Sequence, residues 1–280
     1  MGFSLTRRGF AVGAVAVASG LSLWRFRYGR SIDARIESRL AAAAPPAGGP
    51  VDLESLDGLP DPVRSYFEAV IRDGQSPVRT VEIEQAGEFR LGGRTGDWKP
   101  MTATQYYTVS PPGFVWDAAI ETFPLVPARV VDAYEDGDGT LEARILSLIP
   151  VAKAGPSPEM NEGELLRYLG EAVWFPTALL PSTGVAWEAI DAQSARATLE
   201  DGSNTASLVF HFDDEWLVDR VTGERYRQDD DRYAPWVGSF DAYEWHDGFR
   251  IPTQASVEWD LPDGPLPYWR AQIEAVEYTR

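Results

Sequence analysis

Beyond about residue 80 the chain alternates between apolar and polar residues, which is the pattern of half-buried β-strands. Val81, Ile83 and Gln85 fall on one face of the first such segment. Glu82 and Glu84 fall on the other. Similar segments follow at residues 101–110, 114–121, 128–134, 140–149, 184–190, 195–200, 206–212, 216–227, 238–245, 254–259 and 269–278. About twelve short strands predict a mainly β (α+β) fold, with a curved antiparallel sheet or half-barrel.

A single amphipathic helix interrupts the strands and is predicted over residues 161–175, within the sequence NEGELLRYLGEAVWFPTALLP. Its apolar residues recur at helical spacing on one face: Leu165, Leu166, Leu169, Ala172 and Val173. The other face carries Glu164, Arg167 and Glu171. Asn161 is the predicted N-cap, with Glu164 reaching back to it, and the proline that follows the segment ends the helix. We expect the sheet to wrap this central helix.

Residues 1–28 are predicted to be an export signal or a membrane anchor. Residues 6–10, TRRGF, fit the twin-arginine export pattern. The apolar stretch over residues 9–24 is long for a cleaved signal and short for a full span of roughly 20 residues. We expect the domain to be exported or membrane-anchored on the extracytoplasmic face. An anchored domain that faces the cytosol is the alternative.

Residues 29–54 are predicted as a linker, because they contain the sequence AAAAPPAGGP after a short helical pattern at residues 30–40. A single domain is predicted over residues 55–280. It begins with a helix, for which Asp61 and Pro62 are predicted as N-cap and first-turn residues.

The charge and the composition exclude several classes of function. The 280 residues include 43 acidic and 25 basic side chains, which gives a net charge of −18 at pH 7. Such a surface repels phosphate backbones and anionic headgroups, so we expect no nucleic-acid partner and no anionic lipid surface as partner. The absence of cysteine excludes a disulfide framework and thiolate metal ligation, and only two histidines, His211 and His246, are available to zinc.

No familiar catalytic motif occurs in the sequence. The nucleophile elbow G-x-S-x-G, a glycine-rich phosphate loop and H-E-x-x-H are all missing, so we predict no cofactor and no metal. Residues 136–139, DGDG, lie between two predicted strands and indicate a tight hairpin, since the acid spacing of an EF-hand is not continued. Glu171 lies one turn before Trp174, where burial would raise the pKa of its carboxyl group. The alternative is a helix face that is solvated or paired with arginine.

Tryptophans are an unusual feature of the composition. Ten tryptophans either line a ligand groove or fill a core. We predict that an apolar ligand site between sheet and helix is lined by Trp116, Leu165, Leu169, Glu171, Trp174, Phe175 and Leu179.

The segment WFPTALLP at residues 174–181, with PGFVWD at 112–117 and PLPYWR at 265–270, resembles an uncharacterised bacterial and archaeal domain family of unknown function. This resemblance covers about residues 55–280 and implies no activity, because the family has no established catalytic residue. The order of helix, strands, central helix and strands is also similar to that of the periplasmic lipoprotein carriers and related lipid-binding sensor domains. In those folds a curved sheet cups helices over an apolar hollow, and the likeness is one of architecture without a shared motif.

Three hypotheses about function remain open. The leading one is an exported or membrane-tethered cell-envelope protein that binds an apolar or lipid-like ligand between sheet and helix, and the missing catalytic motifs favour it. An enzyme that uses carboxylates such as Glu171 with a nearby arginine would require a convergent, buried polar cluster. A ligand-free scaffold or interaction domain would have a filled core without a cavity.

Overall fold

Thirteen antiparallel strands form one curved, open sheet in the computed structural model, which describes residues 26–46, 48–123 and 126–280. The first six strands are β1 (Thr80–Arg90), β2 (Trp98–Thr108), β3 (Gly113–Phe123), β4 (Val126–Glu135), β5 (Asp138–Ile145) and β6 (Ile149–Ala154). The other seven are β7 (Ala186–Asp191), β8 (Ser194–Asp201), β9 (Asn204–Phe212), β10 (Val218–Arg227), β11 (Arg232–His246), β12 (Phe249–Leu261) and β13 (Gly264–Thr279). The predicted fold class is confirmed. Strand β6 was not predicted as a separate element, because its sequence IPVAKA is exposed on both faces and does not alternate clearly.

Two meanders make up the sheet, one of strands β1 to β6 and the other of strands β7 to β13. They join through the pairing of β1 with β13, in which Thr80 lies opposite Thr279. Because β6 and β7 therefore lie at opposite edges, the chain between them must cross the hollow of the sheet. Asp136 and Gly137, with φ angles of 53° and 87°, make the predicted hairpin turn between β4 and β5.

The crossing segment contains helix α3, which covers Pro158–Glu171 and continues as three 3₁₀ turns, Ala172–Trp174, Pro176–Leu179 and Pro181–Thr183. The predicted start at Asn161 is wrong by three residues. The oxygen of Ser157 accepts a hydrogen bond from the backbone N–H of Met160 (3.2 Å), and Pro158 occupies the first helical position. Asn161 instead accepts a hydrogen bond from the backbone N–H of Gly139 (2.8 Å) and so fastens the helix to β5.

The leucine face of α3 lies in the main core, as predicted. Leu165 and Leu169 are fully buried there. Aromatic rings fill the space beside them: the ring of Phe175 lies 4.7 Å from that of Tyr107 and 5.8 Å from that of Tyr168, measured between centroids. The predicted arrangement of a curved sheet over a leucine-rich helix, with aromatic side chains between them, is confirmed.

Helix α2 (Asp61–Val70) begins the domain close to the predicted position. Its N-cap is Pro60, so Asp61 is the first helical residue instead of the predicted cap. Val63, Phe67 and Val70 are fully buried in the main core. The helix ends at Val70, because Ile71 is already extended and forms a bridge to the start of β12.

A further helix, α1, covers residues 26–42 and packs on the outer face of the sheet. Ile32 and Ile36 contact a small cluster that includes Val115 and Val131, whose side chains point away from the main core. The guanidinium of the buried Arg39 donates to the hydroxyl of Thr108 (2.9 Å) and to two backbone carbonyls that follow β2. Much of the segment predicted as a linker thus forms a helix that packs on the sheet.

The predicted twin-arginine pattern and the apolar stretch after it lie outside the described residues. Within the described ranges, every helix is too short or too polar to cross a membrane.

Candidate functional site

A cavity of about 410 Å³ lies between helix α3 and the sheet. Cavities of about 300–1,000 Å³ are typical of small-molecule sites. The helix contributes the residues of its charged face: Gly163, Glu164, Arg167, Gly170 and Glu171. The sheet contributes a mostly aromatic wall: Phe89, Trp116, Trp236, Phe240, Trp259, Tyr268 and Trp269. Two exposed residues, Leu91 after β1 and Asp229 after β10, also line the cavity, so it opens to the surface there.

Small residues line this space on both sides. A Cβ atom at Gly163 would lie 3.3 Å from Nε of Arg225, and one at Gly170 would lie 3.2 Å from Cδ1 of Leu208, so these glycines let β10 and β9 approach α3 closely. Ala143 on β5, Gly238 on β11 and Ala255 on β12 line the opposite side. Larger side chains at these positions would occupy part of the volume. The scaffold hypothesis did not predict such a cavity.

The strand register places polar residues in one row across the sheet. Gln105 on β2 lies opposite Trp116 on β3, which in turn lies opposite Asp132 on β4. All three side chains face inward, because they share the face of the sheet that α3 covers. Helical spacing brings Arg167 and Glu171 onto one face of α3, four residues apart. The row and the helix face therefore meet inside the molecule.

Arg167 is the centre of the resulting polar network. Its Nη1 donates to Asp132 Oδ2 (2.7 Å), and its Nε donates to Glu171 Oε1 (2.8 Å). The guanidinium carbon lies 4.8 Å from the ring centroid of Phe114 and 5.2 Å from that of Trp116. Burial alone would lower the pKa of Arg167, but Glu171 and Asp132 raise it above its ordinary value. The guanidinium therefore stays charged and holds both carboxylates in place.

Glu171 is fully hydrogen-bonded within this network. Its Oε2 accepts from the side-chain amide of Gln105 (2.8 Å) and from the hydroxyl of Tyr107 (3.0 Å). Gln85 donates to Gln105 Oε1 (3.3 Å) and accepts from the indole N–H of Trp116 (3.0 Å). Burial and the neighbouring Glu171 raise the pKa of Tyr107 well above its ordinary value, so this tyrosine stays a donor. Both oxygens of Glu171 are thus satisfied, which suits a positioning role.

Glu164 differs from Glu171, because only one of its oxygens has a partner. Arg225 Nη2 donates to Glu164 Oε1 (2.7 Å), whereas Glu164 Oε2 is buried without a hydrogen-bond partner among the described residues. The second oxygen of Asp132, Oδ1, is in the same situation. Burial, and after it the charge of Asp132, raise the pKa of Glu164 to about 7, against the opposing effect of Arg225 and Arg167. The site thus holds a carboxyl group that can take up or release a proton near neutral pH.

The structure separates the seven residues predicted to line a ligand site. Three of them line the cavity: Trp116, Glu171 and Trp174. The other four are fully buried in the core on the leucine side: Leu165, Leu169, Phe175 and Leu179. The charged face of α3 is the one that meets the cavity, and it is arginine-paired. A ligand-binding role for any of the seven stays a prediction.

Sequence reasoning missed Glu164, Asp132 and Arg225 as site residues. One signal was present, since Gly163 and Gly170 accompany the charges on their helical face and permit close approach of another element. The other side of the site depends on contacts between distant parts of the chain, which local patterns do not show.

Among the described residues, no group of three or more histidine, aspartate or glutamate side chains is arranged to hold a metal ion. His211 lies on β9 with its Nε2 2.9 Å from the hydroxyl of Thr222. Burial and the charge of Arg220 lower the pKa of His211, so this histidine is neutral near pH 7. The polar side chains that line the cavity include carboxylates and arginines, and they lie beside aromatic rings.

The profile of a family of unknown function (DUF6920) matches residues 57–278. No curated protein sequence matches the chain. A LolA superfamily protein from Nitrosomonas europaea is similar in structure, with 13% sequence identity and a TM-score of 0.43, over 78% of this chain and 94% of that one. A beta-barrel-like protein of a domain of unknown function (DUF1849) from Brucella abortus is also similar, with 10% identity and a TM-score of 0.24, over 73% of this chain and 99% of that one.

Proposed function

Because the chain belongs to this family of unknown function, we propose its role from the cavity: the domain binds an apolar or lipid-like ligand between α3 and the sheet. The observation that supports the proposal is the cavity of about 410 Å³ itself, with its aromatic wall and its opening to the surface. Aromatic side chains provide apolar surface with few internal rotations, so a bound alkyl chain gains burial at little entropic cost.

The proposal predicts that affinity grows with the length of the apolar chain. Each buried methylene stabilises a complex by about 0.8 kcal/mol, which corresponds to roughly fourfold in the dissociation constant. In a series of straight-chain alcohols from hexanol to decanol, we expect affinity to rise at each step until the chain fills the cavity. Quenching of tryptophan fluorescence measures binding, because Trp116, Trp174 and Trp236 line the site. Affinity that is independent of chain length would contradict the proposal.

A variant with a filled cavity provides the control. Ala255→Phe places a ring into the cavity from β12, and we expect it to abolish alcohol binding while the domain stays folded. Ala189→Phe makes the same substitution at an exposed position on β7 and should bind like the unmodified protein. Equal binding by both variants would place the alcohols elsewhere on the molecule.

The natural ligand is accessible to direct identification. Protein purified from its own host is extracted with organic solvent, and the extract is compared by mass spectrometry with that of the Ala255→Phe variant. We expect an apolar compound that only the unmodified protein retains. A clean extract, combined with failure to bind a fluorescent fatty-acid probe, would count against the proposal.

We further propose that the domain acts on the extracytoplasmic face of the membrane. The support is the twin-arginine pattern at residues 6–10 and the apolar stretch that follows it. Residues 1–50 fused to a reporter that is active only outside the cytoplasm should give activity, and changing Arg7 and Arg8 to lysine should remove it. An inactive fusion would contradict export, and an active double-lysine fusion would contradict the twin-arginine route.

Carboxylate-based catalysis is the second candidate, and the convergent, buried polar cluster favours it. Glu164, with its pKa raised to about 7 by burial, is better suited to proton transfer than the fully hydrogen-bonded Glu171. Incubation of a host lipid extract with the protein tests this candidate by mass spectrometry. If the domain is an enzyme, one component of the extract should change in mass, and Glu164→Gln should abolish that change. An unchanged extract would contradict catalysis and would be consistent with ligand binding only.

A further inference from the structure

We propose that the polar end of the ligand is a hydrogen-bond donor, a primary ammonium group in preference to a carboxylate, and that it binds Glu164 and Asp132. This inference rests on the proposed function and names the chemical class of the ligand.

Two buried acceptors without partners carry the inference. Glu164 Oε2 and Asp132 Oδ1 have no hydrogen-bond partner among the described residues. Both side chains are more than nine-tenths buried, with exposed fractions of 3% and 9%, and both residues line the cavity. A buried acceptor without a partner is destabilising, so a ligand that donates to both oxygens gains the interaction that the protein alone lacks. A carboxylate ligand would supply only further acceptors, for which the cavity wall offers one unpartnered buried donor among the described residues, Nε1 of Trp269.

The charges around the cavity favour a cation as well. Three carboxylates, Asp132, Glu164 and Glu171, meet two arginines, Arg167 and Arg225, in the network. With all of them ionised the cluster has one negative charge in excess, and each arginine is already paired with a carboxylate. An ammonium group would neutralise the excess, whereas an anionic group would add to it at low dielectric.

The effect of pH on binding follows from Glu164. The groups that face it are Asp132 on β4, Arg225 on β10, Tyr268 on β13, and Arg167 and Glu171 on α3 itself. Burial raises the pKa of Glu164 to about 7, so part of the carboxyl is protonated at neutral pH. An alkylammonium stays charged throughout this range, because the ordinary pKa of such an amine is about 10.4. It binds the ionised carboxylate, so its affinity rises as the pH increases from 6 to 8.

Three decyl probes with the same chain test the inference: decylammonium, 1-decanol and decanoate. Each is titrated below its micellar concentration in about 0.15 M salt, which screens the acidic surface. At pH 8 we expect decylammonium to bind on the order of tenfold more tightly than decanol, as a charge-assisted hydrogen bond is stronger than a neutral one, and decanoate to bind most weakly. Between pH 6 and pH 8 the affinity for decylammonium should rise by a similar factor, whereas the affinity for decanol should change little.

Matched variants locate the preference. Glu164→Gln should remove the advantage of decylammonium over decanol and keep decanol binding. Glu84→Gln removes the same charge from an exposed position on β1 and should keep the advantage. Asp132→Asn is a second cavity variant in case Glu164→Gln impairs folding, which circular dichroism reports.

The outcomes separate the inference from the function on which it rests. Decanoate that binds as tightly as decylammonium overturns the inference and leaves an apolar ligand site. A preference for decylammonium that survives both cavity substitutions also overturns it, because the cation then binds the acidic surface. If none of the probes binds, the proposed function itself fails.

Discussion

The side chains beside the cavity show how the burial of a charged group is compensated by pairing with groups of opposite charge. Arg167 lies between two aromatic rings and is shared by Asp132 and Glu171, so each of these charges has a partner. Removing one partner of such a network is more harmful than never having formed it, because the remaining charges stay buried. Arg167 therefore determines whether the carboxylates can remain at the cavity.

Replacement of Arg167 by methionine should lower the free energy of unfolding by about 3–5 kcal/mol, because Asp132 and Glu171 lose their cation. Arg64→Met on α2 is the control, since its pair with Asp61 is largely exposed and such pairs contribute about 0–1 kcal/mol. Urea unfolding measures both. Equal, small effects of the two substitutions would contradict the central role of Arg167.

The raised pKa of Glu164 makes the folded protein less stable as the pH rises. A carboxyl whose pKa rises on folding, here from 4.5 to about 7, binds more protons in the folded state. Stability from this group is therefore present below pH 4.5 and is lost as the pH rises through 7. The full loss is about 3–4 kcal/mol, since the shift is about 2.5 pKa units and one unit corresponds to about 1.4 kcal/mol.

Urea unfolding at pH 5, 6, 7 and 8 tests this contribution by comparison with Glu164→Gln, which cannot ionise. We expect the unmodified protein to lose stability relative to the variant as the pH rises. A difference that is constant with pH would show that Glu164 titrates in the folded protein as it does in the unfolded chain.

At the scale of elements, helix α1 shows how a segment outside the sheet becomes part of the domain. Ile32 and Ile36 cover the outer face of β3 and β4, and Arg39 reaches over the end of β2. The guanidinium donates to the carbonyls of Pro111 and Pro112, where the chain turns into β3. The helix is thereby held by the buried Arg39 and a small apolar contact, together with the half-buried Arg35, which donates to Glu135 and to Thr140 (2.8 Å).

Arg39→Ala should release α1 from the sheet, because four hydrogen bonds from a buried cation are lost together, one of them to the carboxylate of Asp136 (3.2 Å). We expect amide hydrogen exchange of residues 30–42 to become faster, while β9 and α3 exchange as before. Arg35→Ala is the matched control on the same helix; Arg35 pairs with Glu135 but is about one-third exposed, so its effect should be small. Unchanged exchange in the Arg39 variant would show that the apolar contact is sufficient.

Prediction from sequence succeeded for elements with a local signal. Alternation identified every strand except β6, and the leucine spacing identified α3, since both signals depend on residues near each other in the chain. The start of α3 was misplaced because Ser157 and Asn161 are both good caps, and only the contact of Asn161 with Gly139 removes it from that role. The polar site was missed because the row from Gln105 to Asp132 depends on strand register.

The whole molecule depends on the seam between its two meanders. Strands β1 and β13 pair along most of their length, although Gly87 in β1 and its partner Ala271 in β13 are 184 residues apart in the chain. This non-local pairing has no sequence signature. A Cβ atom at Gly87 would lie 2.1 Å from the carbonyl oxygen of Arg270 and 2.6 Å from the Cα of Ala271. The seam therefore requires glycine at this position.

Gly87→Val should destabilise the domain by more than about 3 kcal/mol or prevent folding, because the two backbones must separate. Gly49→Val is the control, since a Cβ at Gly49 meets no atom within 4 Å. Soluble yield and urea unfolding of the two variants measure the difference. A Gly87 variant as stable as the control would contradict this prediction, because it would indicate that β1 can shift away from β13 with little loss of stability.

The two outer strands of the sheet, β6 and β7, do not pair with each other in the described part of the chain. The two meanders are held at their present separation by the seam of β1 and β13, by the helix between them, and by hydrogen bonds that the hydroxyl of Tyr134 on β4 makes with Asp201 (2.8 Å) and Asn204 (3.0 Å) of the second meander. The outer strands can therefore move apart without breaking a hydrogen bond between paired strands, but only if these side-chain hydrogen bonds break. The width of ligand that the hollow accepts is then set by the contacts of Tyr134, Asn204 and α3.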